Sequence, residues 1–366
     1  MIKVLQIIDG KQYGGICKLF LDIEKNISKD IKFEYLTATN ICDSWNNLNI
    51  DRSSIKGRII FNHRLKKYLK NNKYDIIHIN SGAFFFVFTC ALICRLQGIK
   101  NIVVHSHNNP KLLKIKKILL KILNPFFRKM TKIHLSCSKD AIKSLYTKSN
   151  DVIILKNGIN IDDYKYDKKI REKYQKELNI IGKKVYGHIG IFNKQKNHHF
   201  LINVFNEISK KEDAVLLLIG EGELEKEIRY QVKQYGIEDK VYFLGYRNDV
   251  NKLLNCIDIF LFPSLYEGLG IVLIEAQTNG TIVFASNAIP KETNISPYYN
   301  QIDNFELSNW VNKIKDAKIL DRDDAYINTI NNEYDIRITS KKLELIYKEM
   351  MKWEQKIQLK ILLQLQ

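Results

Sequence analysis

A short apolar run, closed by a turn signal and followed by a helical pattern, recurs along almost the whole of this 366-residue chain. In the first half the runs predict strands at Lys3–Ile8, Phe33–Ala38, Asp75–Ile79, Asn101–His105, Lys132–Ser136 and Val152–Leu155. The intervening patterns predict helices at Ile16–Ile27, Ala83–Leu96, Leu112–Met130 and Lys139–Thr147. Strands alternating with helices are the signature of a doubly wound parallel sheet, whose strands are buried on both faces and so read as apolar runs. A second series follows, with strands at Val185–Ile189, Val215–Ile219, Val241–Leu244, Ile257–Phe262 and Thr281–Ala285 and helices at His198–Ser209, Leu224–Tyr235, Val250–Asn255 and Ile271–Thr278. Helices at Leu307–Ala317, Asp324–Asn331 and Ser340–Trp353 close it. The chain therefore predicts two α/β domains, 1–165 and 166–336, each long enough to bury its own core. The polar, Lys-rich stretch Lys165 to Lys184 reads as the linker, residues 337–353 as a helix packing back on the first domain, and 354–366 as a tail.

In such sheets ligands sit beyond the carboxyl ends of the strands. The most informative of these ends is Phe262 to Ala276. Pro263 stops the strand, and Gly268 and Gly270 open a helix that carries Glu275. Free N–H groups at a helix start attract anions, and glycines without Cβ let a phosphate come close. Glu267 and Glu275 flank those donors; carboxylates are poor phosphate ligands but good acceptors for sugar and ribose hydroxyls, so the pattern points to a sugar nucleotide. Upstream, Gly187 to His198 puts a glycine turn and Lys196 between a strand and a helix, which suits a diphosphate. Gly220-Glu221-Gly222 and Gly245-Tyr246 end the next two strands.

In the first domain Gly14-Gly15 follows the first strand and reads equally as a simple turn or a ligand loop. His105, His107, Asn108 and Asn109 crowd the tip of another, as hydrogen-bond partners or a proton carrier. Two histidines at i, i+2 with no nearby acid or cysteine do not make a metal site. Asp321-Arg322-Asp323 superficially matches a metal-binding Asp-x-Asp, yet lies in a polar segment that reads as a solvated loop.

The spacing from Glu267 to Glu275, with Glu-Gly-Leu-Gly at one end and Ile-Glu-Ala at the other, resembles the paired-glutamate motif of the retaining family 4 glycosyltransferases. Gly14-Gly15, Asn157-Gly158-Ile159, Gly190 with Lys196, and Gly245-Tyr246 fall in that family's order, so the resemblance covers nearly the whole chain. It implies the GT-B fold, two Rossmann-like doubly wound domains facing across a cleft. It also implies metal-independent transfer of a hexose from an NDP-sugar, UDP rather than GDP, with no cofactor. The catalytic residues would be His107, Glu267 and Lys196. The donor would contact Gly15, Gly190, Lys194, Lys196, Gly245, Tyr246, Glu267, Gly268, Leu269, Gly270, Ile271 and Glu275. Within that set Lys196 and the amides from Gly268 to Ile271 would face the diphosphate, Glu267 the hexose and Glu275 the ribose. Gly14, His105 and Asn108 would meet the acceptor, a saccharide or polyprenyl-linked saccharide of bacterial surface polysaccharide. The resemblance departs at Ile191, where the family usually has Arg. Either Lys194 or another cation takes over, or the donor is held more weakly, or activity is impaired.

A net charge of +18 sets the remaining expectations. Lys, Asn and Ile abound everywhere, so local clustering is the better guide. Lys111 to Lys132 mixes Lys with Leu, Ile and Phe at helical spacing and contains no acid. It reads as a basic amphipathic helix on an anionic membrane surface, or else as a core-packed helix with a basic outer face; His63 to Lys73 could extend the same surface. The longest apolar run, Ala83 to Cys94, is too short to cross a bilayer. Six scattered cysteines read as reduced core residues. The expected location is cytoplasmic, peripheral on the inner face of the membrane. The rival readings are a nucleotide-sugar epimerase on the same scaffold and a non-catalytic basic membrane-binding module; nucleic acid is not an expected partner.

Overall fold

The computed structural model describes residues 1–9, 15–39, 45–48, 50–107, 114–317, 322 and 325–352, which fall into two compact units. The first comprises residues 1–159 and 335–352, and the second Asn160–Tyr334.

The first unit is organised by β1 (Ile2–Ile8), β2 (Ile31–Thr37), β3 (Asn46–Asn47), β4 (Ile76–Asn80), β5 (Ile102–Ser106), β6 (Ile133–Ser136) and β7 (Val152–Ile154). They pair in parallel in the order β3-β2-β1-β4-β5-β6-β7. Its helices are α1 (Gly15–Asn26), α2 (Ile55–Asn71), α3 (Phe84–Leu96), α4 (Lys114–Met130) and α5 (Lys139–Leu145). Successive side chains of a strand point to opposite faces. In β1, Val4 and Ile8 accordingly enter one core with Phe20 and Ile23 of α1, while Leu5 and Ile7 enter the other with Phe61, Val87 and Leu120.

The second unit runs α6 (Lys168–Glu177), β8 (Lys184–Ile189), α7 (His198–Ser209), β9 (Ala214–Ile219), α8 (Glu225–Gln234), β10 (Val241–Phe243), α9 (Val250–Leu253), β11 (Ile259–Phe262), α10 (Ile271–Thr278), β12 (Ile282–Ser286), β13 (Tyr299–Ile302), α11 (Leu307–Lys315) and α12 (Ala325–Asn331). Its parallel sheet has the order β10-β9-β8-β11-β12-β13. From Val272 to Thr278 every residue of α10 is buried, so this helix shows no amphipathic period.

The chain then returns to the first unit as α13 (Ile336–Met351), which places Leu343, Ile346, Tyr347 and Met350 in the core that holds Phe20 and Ile76. The return is pinned where the chain left: Ile336 N donates to Ile159 O at 2.8 Å, and Thr339 Oγ1 to Lys156 O at 2.9 Å.

Three expectations change. Lys165 to Lys184 is not a linker, because α6 occupies its middle, capped by the Asp167 carboxylate on the N–H groups of Lys169 and Ile170. Arg171 binds Asp258 at 2.8 Å and Tyr174 binds Asp249 at 2.8 Å, so this polar helix docks through ion pairs and hydroxyls rather than an apolar stripe. Arg322 is not in a solvated loop. Its buried guanidinium donates to Asn255 O, Ile257 O and Asn279 Oδ1, and burial draws its pKa down to about 10, still charged at neutral pH. Lastly, α2 begins at Ile55, eight residues before the predicted basic stretch at His63, with Ser54 Oγ capping Gly57 N. The five described cysteines, Cys17, Cys90, Cys94, Cys137 and Cys256, are buried thiols outside any disulfide.

Candidate active site

In the second unit the strand order reverses direction between β8 and β11, both parallel, and the crevice outside the carboxyl ends at such a switch point is where doubly wound sheets bind ligands. The loops after these two strands carry Gly190 to Lys196 and Pro263 to Gly270. They are tied together: Leu265 N donates to Gln195 O at 2.8 Å and Gln195 Nε2 to Tyr266 O at 2.9 Å. Held this way, Lys196 Nζ reaches Glu267 Oε1 at 2.7 Å and lies 4.4 Å from the centre of the Phe262 ring. Their side chains are only 15% and 9% exposed, so this is a shielded ion pair. Lys194 and Ile191 are exposed on the same loop.

Gly270 starts α10 at φ +77°, a left-handed conformation that only glycine adopts without strain. Leu269 is buried, with its carbonyl accepting from Thr293 Oγ1 at 2.7 Å, which anchors the turn from behind. Five residues into the helix Glu275 is 6% exposed and accepts a 2.5 Å hydrogen bond from Tyr164 OH.

The neighbouring loops are laced to the same edge. Gly190 N donates to Ile219 O at 2.9 Å, Phe192 N to Glu221 O at 3.0 Å, and Gly220 N to Gly245 O at 2.8 Å. Gly220 has φ +136°, and a Cβ there would stand 2.1 Å from Gly190 O, so the close approach of the two loops needs glycine. Tyr246 N donates to Glu221 Oε1 at 3.2 Å, leaving the Tyr246 ring half-exposed at the end of β10. Beneath the Lys196 loop His188 donates from Nδ1 to Leu261 O at 2.7 Å, and His198 stacks on Phe192 at 4.1 Å. Burial pulls the pKa of His188 down to about 3 and that of His198 to about 2, so both are neutral under a cationic loop.

In the first unit Gly15 is the first residue of α1. His105 is the buried fourth residue of β5, and His107 follows the strand at 7% exposure. The two rings lie 3.9 Å apart, with His105 also stacked on His78 at 5.5 Å. Burial holds His78 and His105 well below the usual histidine range and brings His107 down to about 3. Gly14 and Asn108, expected at the acceptor, lie outside the described residues.

The structure thus brings Gly190, Lys196, Gly245, Tyr246 and the Glu267 to Glu275 segment to one edge of one sheet, and places His105 and His107 in the other unit. Sequence reasoning missed Tyr164, His188 and the buried polar side chains around His107. Tyr164 is 111 positions from its partner Glu275, and no local pattern joins them.

A sheet ordered 3-2-1-4-5-6, with glycine turns, a cation and two carboxylates at its switch point, defines a nucleotide-binding α/β unit. The family described as "Glycosyl transferases group 1" matches residues 170–305 and that described as "Glycosyltransferase Family 4" matches residues 41–163. The chain belongs to the family 4 glycosyltransferases and has their GT-B fold. An Escherichia coli UDP-Gal:alpha-D-GlcNAc-diphosphoundecaprenol alpha-1,3-galactosyltransferase is 27% identical over 73% of this chain and 71% of its own. A Staphylococcus aureus capsular polysaccharide biosynthesis glycosyltransferase, CapH, is 25% identical over 95% of this chain and 99% of its own. The crystal structure of Anabaena HepE in complex with UDP and glucose superposes with a TM-score of 0.76 at 17% identity, covering 95% of this chain and 100% of that one.

Proposed function

We propose that this glycosyltransferase is a retaining enzyme that moves a hexose from a UDP-sugar to a saccharide or polyprenyl-linked saccharide during bacterial surface polysaccharide synthesis. The observation that carries the reading is the shielded Lys196–Glu267 pair beside the first turn of α10. A departing diphosphate needs positive charge where its own charge develops, and Lys196 together with the amides from Gly268 to Ile271 supplies it without a metal ion. Glu267 is the acceptor for a hexose hydroxyl, and Glu275, steadied by Tyr164, for the ribose. Tyr246 offers a half-exposed ring to the base. In the first unit His107, whose ring lies 3.9 Å from that of His105, is the proposed catalytic group. The relatives support the donor and acceptor classes, one named for a UDP-galactose donor and a diphosphoundecaprenol acceptor, another for capsular polysaccharide. A thermal-shift panel of UDP-, GDP- and ADP-sugars tests the reading, since a bound donor raises stability by mass action. UDP-sugars are expected to raise the melting temperature most, and a panel without any shift would remove the donor site.

The acceptor's lipid suggests a membrane face, and α4 supports one. It packs inward through Leu120, Asn124 and Phe127, while Ile115, Ile118, Leu119, Ile122 and Phe126 stand 40–66% exposed in one stripe. Exposed Lys117 and Lys121 lie along one side of that stripe. An apolar strip bordered by lysines fits the boundary between acyl chains and anionic headgroups. Among the described residues no helix is long and apolar enough to cross a membrane. Replacing Lys117 and Lys121 by Glu is expected to weaken binding to phosphatidylglycerol vesicles by about thirtyfold or more, at about 1 kcal/mol per cation lost. Ile118→Ser with Ile122→Ser is expected to weaken binding to neutral vesicles as well. Equal sedimentation of all forms with vesicles would assign α4 to the fold alone.

A further inference from the structure

The shielded pair at the switch point of the second unit joins two groups that a sugar nucleotide would engage with different parts of itself. Lys196 is the anchored member. Its backbone N–H donates to Asn193 Oδ1 at 3.1 Å, its stem runs over Gly190, where an added Cβ would come within 3.1 Å of Cδ and Cε, and its ammonium stands 4.4 Å from the centre of the Phe262 ring. That ammonium is the side-chain partner of Glu267 at 2.7 Å, and no second cation meets this carboxylate among the described residues. His188 and His198 below the loop are neutral and bring no charge to either member.

A carboxylate only 9% exposed is poorly hydrated and needs a donor, which in the free site is Lys196. An intact donor brings a replacement for each half of the pair: its diphosphate takes the ammonium, and a hexose hydroxyl donates to the carboxylate. UDP brings only the first. It draws on Lys196 and offers nothing to Glu267, which is left a poorly hydrated anion beside a phosphate, and like charges cost most where water is scarce. The pair therefore opposes UDP more than it opposes the UDP-sugar.

We propose that Glu267 sets the discrimination between the UDP-sugar and UDP: the hexose holds it off Lys196, and once the hexose has passed to the acceptor Glu267 returns to Lys196 and loosens the spent nucleotide. This rests on the donor-site reading given above. One carboxylate then acts twice in a turnover, as a hydroxyl acceptor before transfer and as the competitor for the ammonium after it.

Titration calorimetry of the full-length protein, without acceptor, with uridine, UDP and the UDP-sugar that raises the melting temperature most tests the proposal. Glu267→Gln keeps the shape of the side chain and removes its charge. It is expected to tighten UDP by about tenfold or more, to leave uridine within about twofold because uridine carries no phosphate, and to improve the UDP-sugar by about threefold at most. In the Lys196→Ala background the same change is expected to improve UDP by about threefold at most, since the competitor has lost what it competes for. Melting curves without ligand show which forms are folded; Glu267→Asp, which shortens the reach and keeps the charge, is expected to move UDP in the same direction by a smaller factor and stands in for Gln if that variant unfolds. UDP bound no more tightly once the carboxylate is removed or shortened overturns the proposal and leaves the donor site standing. So does a gain shared equally by uridine or by the UDP-sugar, or one of full size without Lys196. If the unaltered protein binds neither UDP nor any UDP-sugar, the donor-site reading has failed, and the role of Glu267 fails with it.

Discussion

Lys196→Ala is expected to lower kcat/KM by about a hundred- to a thousandfold, the usual consequence of losing one preorganised charge on a developing anion. Lys196 is the residue to test because the switch-point geometry turns it inward, 2.7 Å from Glu267, while Lys194 on the same loop stays exposed. On the proposed function, a diphosphate arriving at the start of α10 competes with Glu267 for that ammonium. Ile191 brings no charge to this loop, which on the proposed function leaves Lys196 with more of the charge to neutralise. Ile191 is 36% exposed, so a longer side chain has room, and Ile191→Arg is expected to tighten donor binding and restore part of the loss in the Lys196→Ala background. Steady-state kinetics on the four forms, with melting curves to show that the fold persists, decide the matter. Should Lys194→Ala abolish activity while Lys196→Ala leaves it intact, the cation has been misassigned.

Stability is expected to fall steeply as pH drops from about 6.5 toward 4, before most carboxylates titrate. His107 and His188 have folded pKa values near 3 and His198 near 2, with His78 and His105 also far below their ordinary value, all because burial disfavours the charged ring. An unfolded histidine binds its proton near pH 6.5. Across the interval from 6.5 down to the folded values the unfolded chain therefore holds more protons than the native one, and stability rises with pH. The contribution is complete above 6.5 and shrinks by about 1.4 kcal/mol per pH unit for each such histidine. Asp249, held near 2 by Arg247, withdraws its support only below its own unfolded value, so the histidine window stands apart from it. Urea midpoints at pH 7.0, 5.5 and 4.5 measure the slope; a flat profile would mean these rings accept protons without unfolding.

The alternation of apolar runs and helices was legible because parallel strands covered on both faces have to be apolar throughout, as Ala-Val-Leu-Leu-Leu-Ile of β9 is. Elements that do not pay their way in apolar surface were not legible. β13, Tyr-Asn-Gln-Ile, is a half-exposed edge strand, and α6 has one buried residue, Tyr174, so its charged sequence looks like a linker. The same limit governs the site. The glycines and acids after each strand could be found because loop position and residue type suffice, whereas the pairings of Lys196 with Glu267 and of Tyr164 with Glu275 span 71 and 111 positions. Asn80, buried against His107, and its partner Gln6 gave no signal at all, since a buried amide within an apolar strand becomes meaningful only when its neighbours are known.

The return of the chain at Asp335 bears on how the protein is made. Residues 160–334 are complete before α13 emerges from the ribosome, and they contain every strand of the second sheet. The first sheet, although synthesised earlier, waits for Leu343, Ile346, Tyr347 and Met350 to cover one of its faces and for Tyr347 to accept from the buried Gln6 amide. The half translated second is thus the first able to mature, and a nascent chain halted before Ile336 holds a finished second sheet beside an unfinished first one.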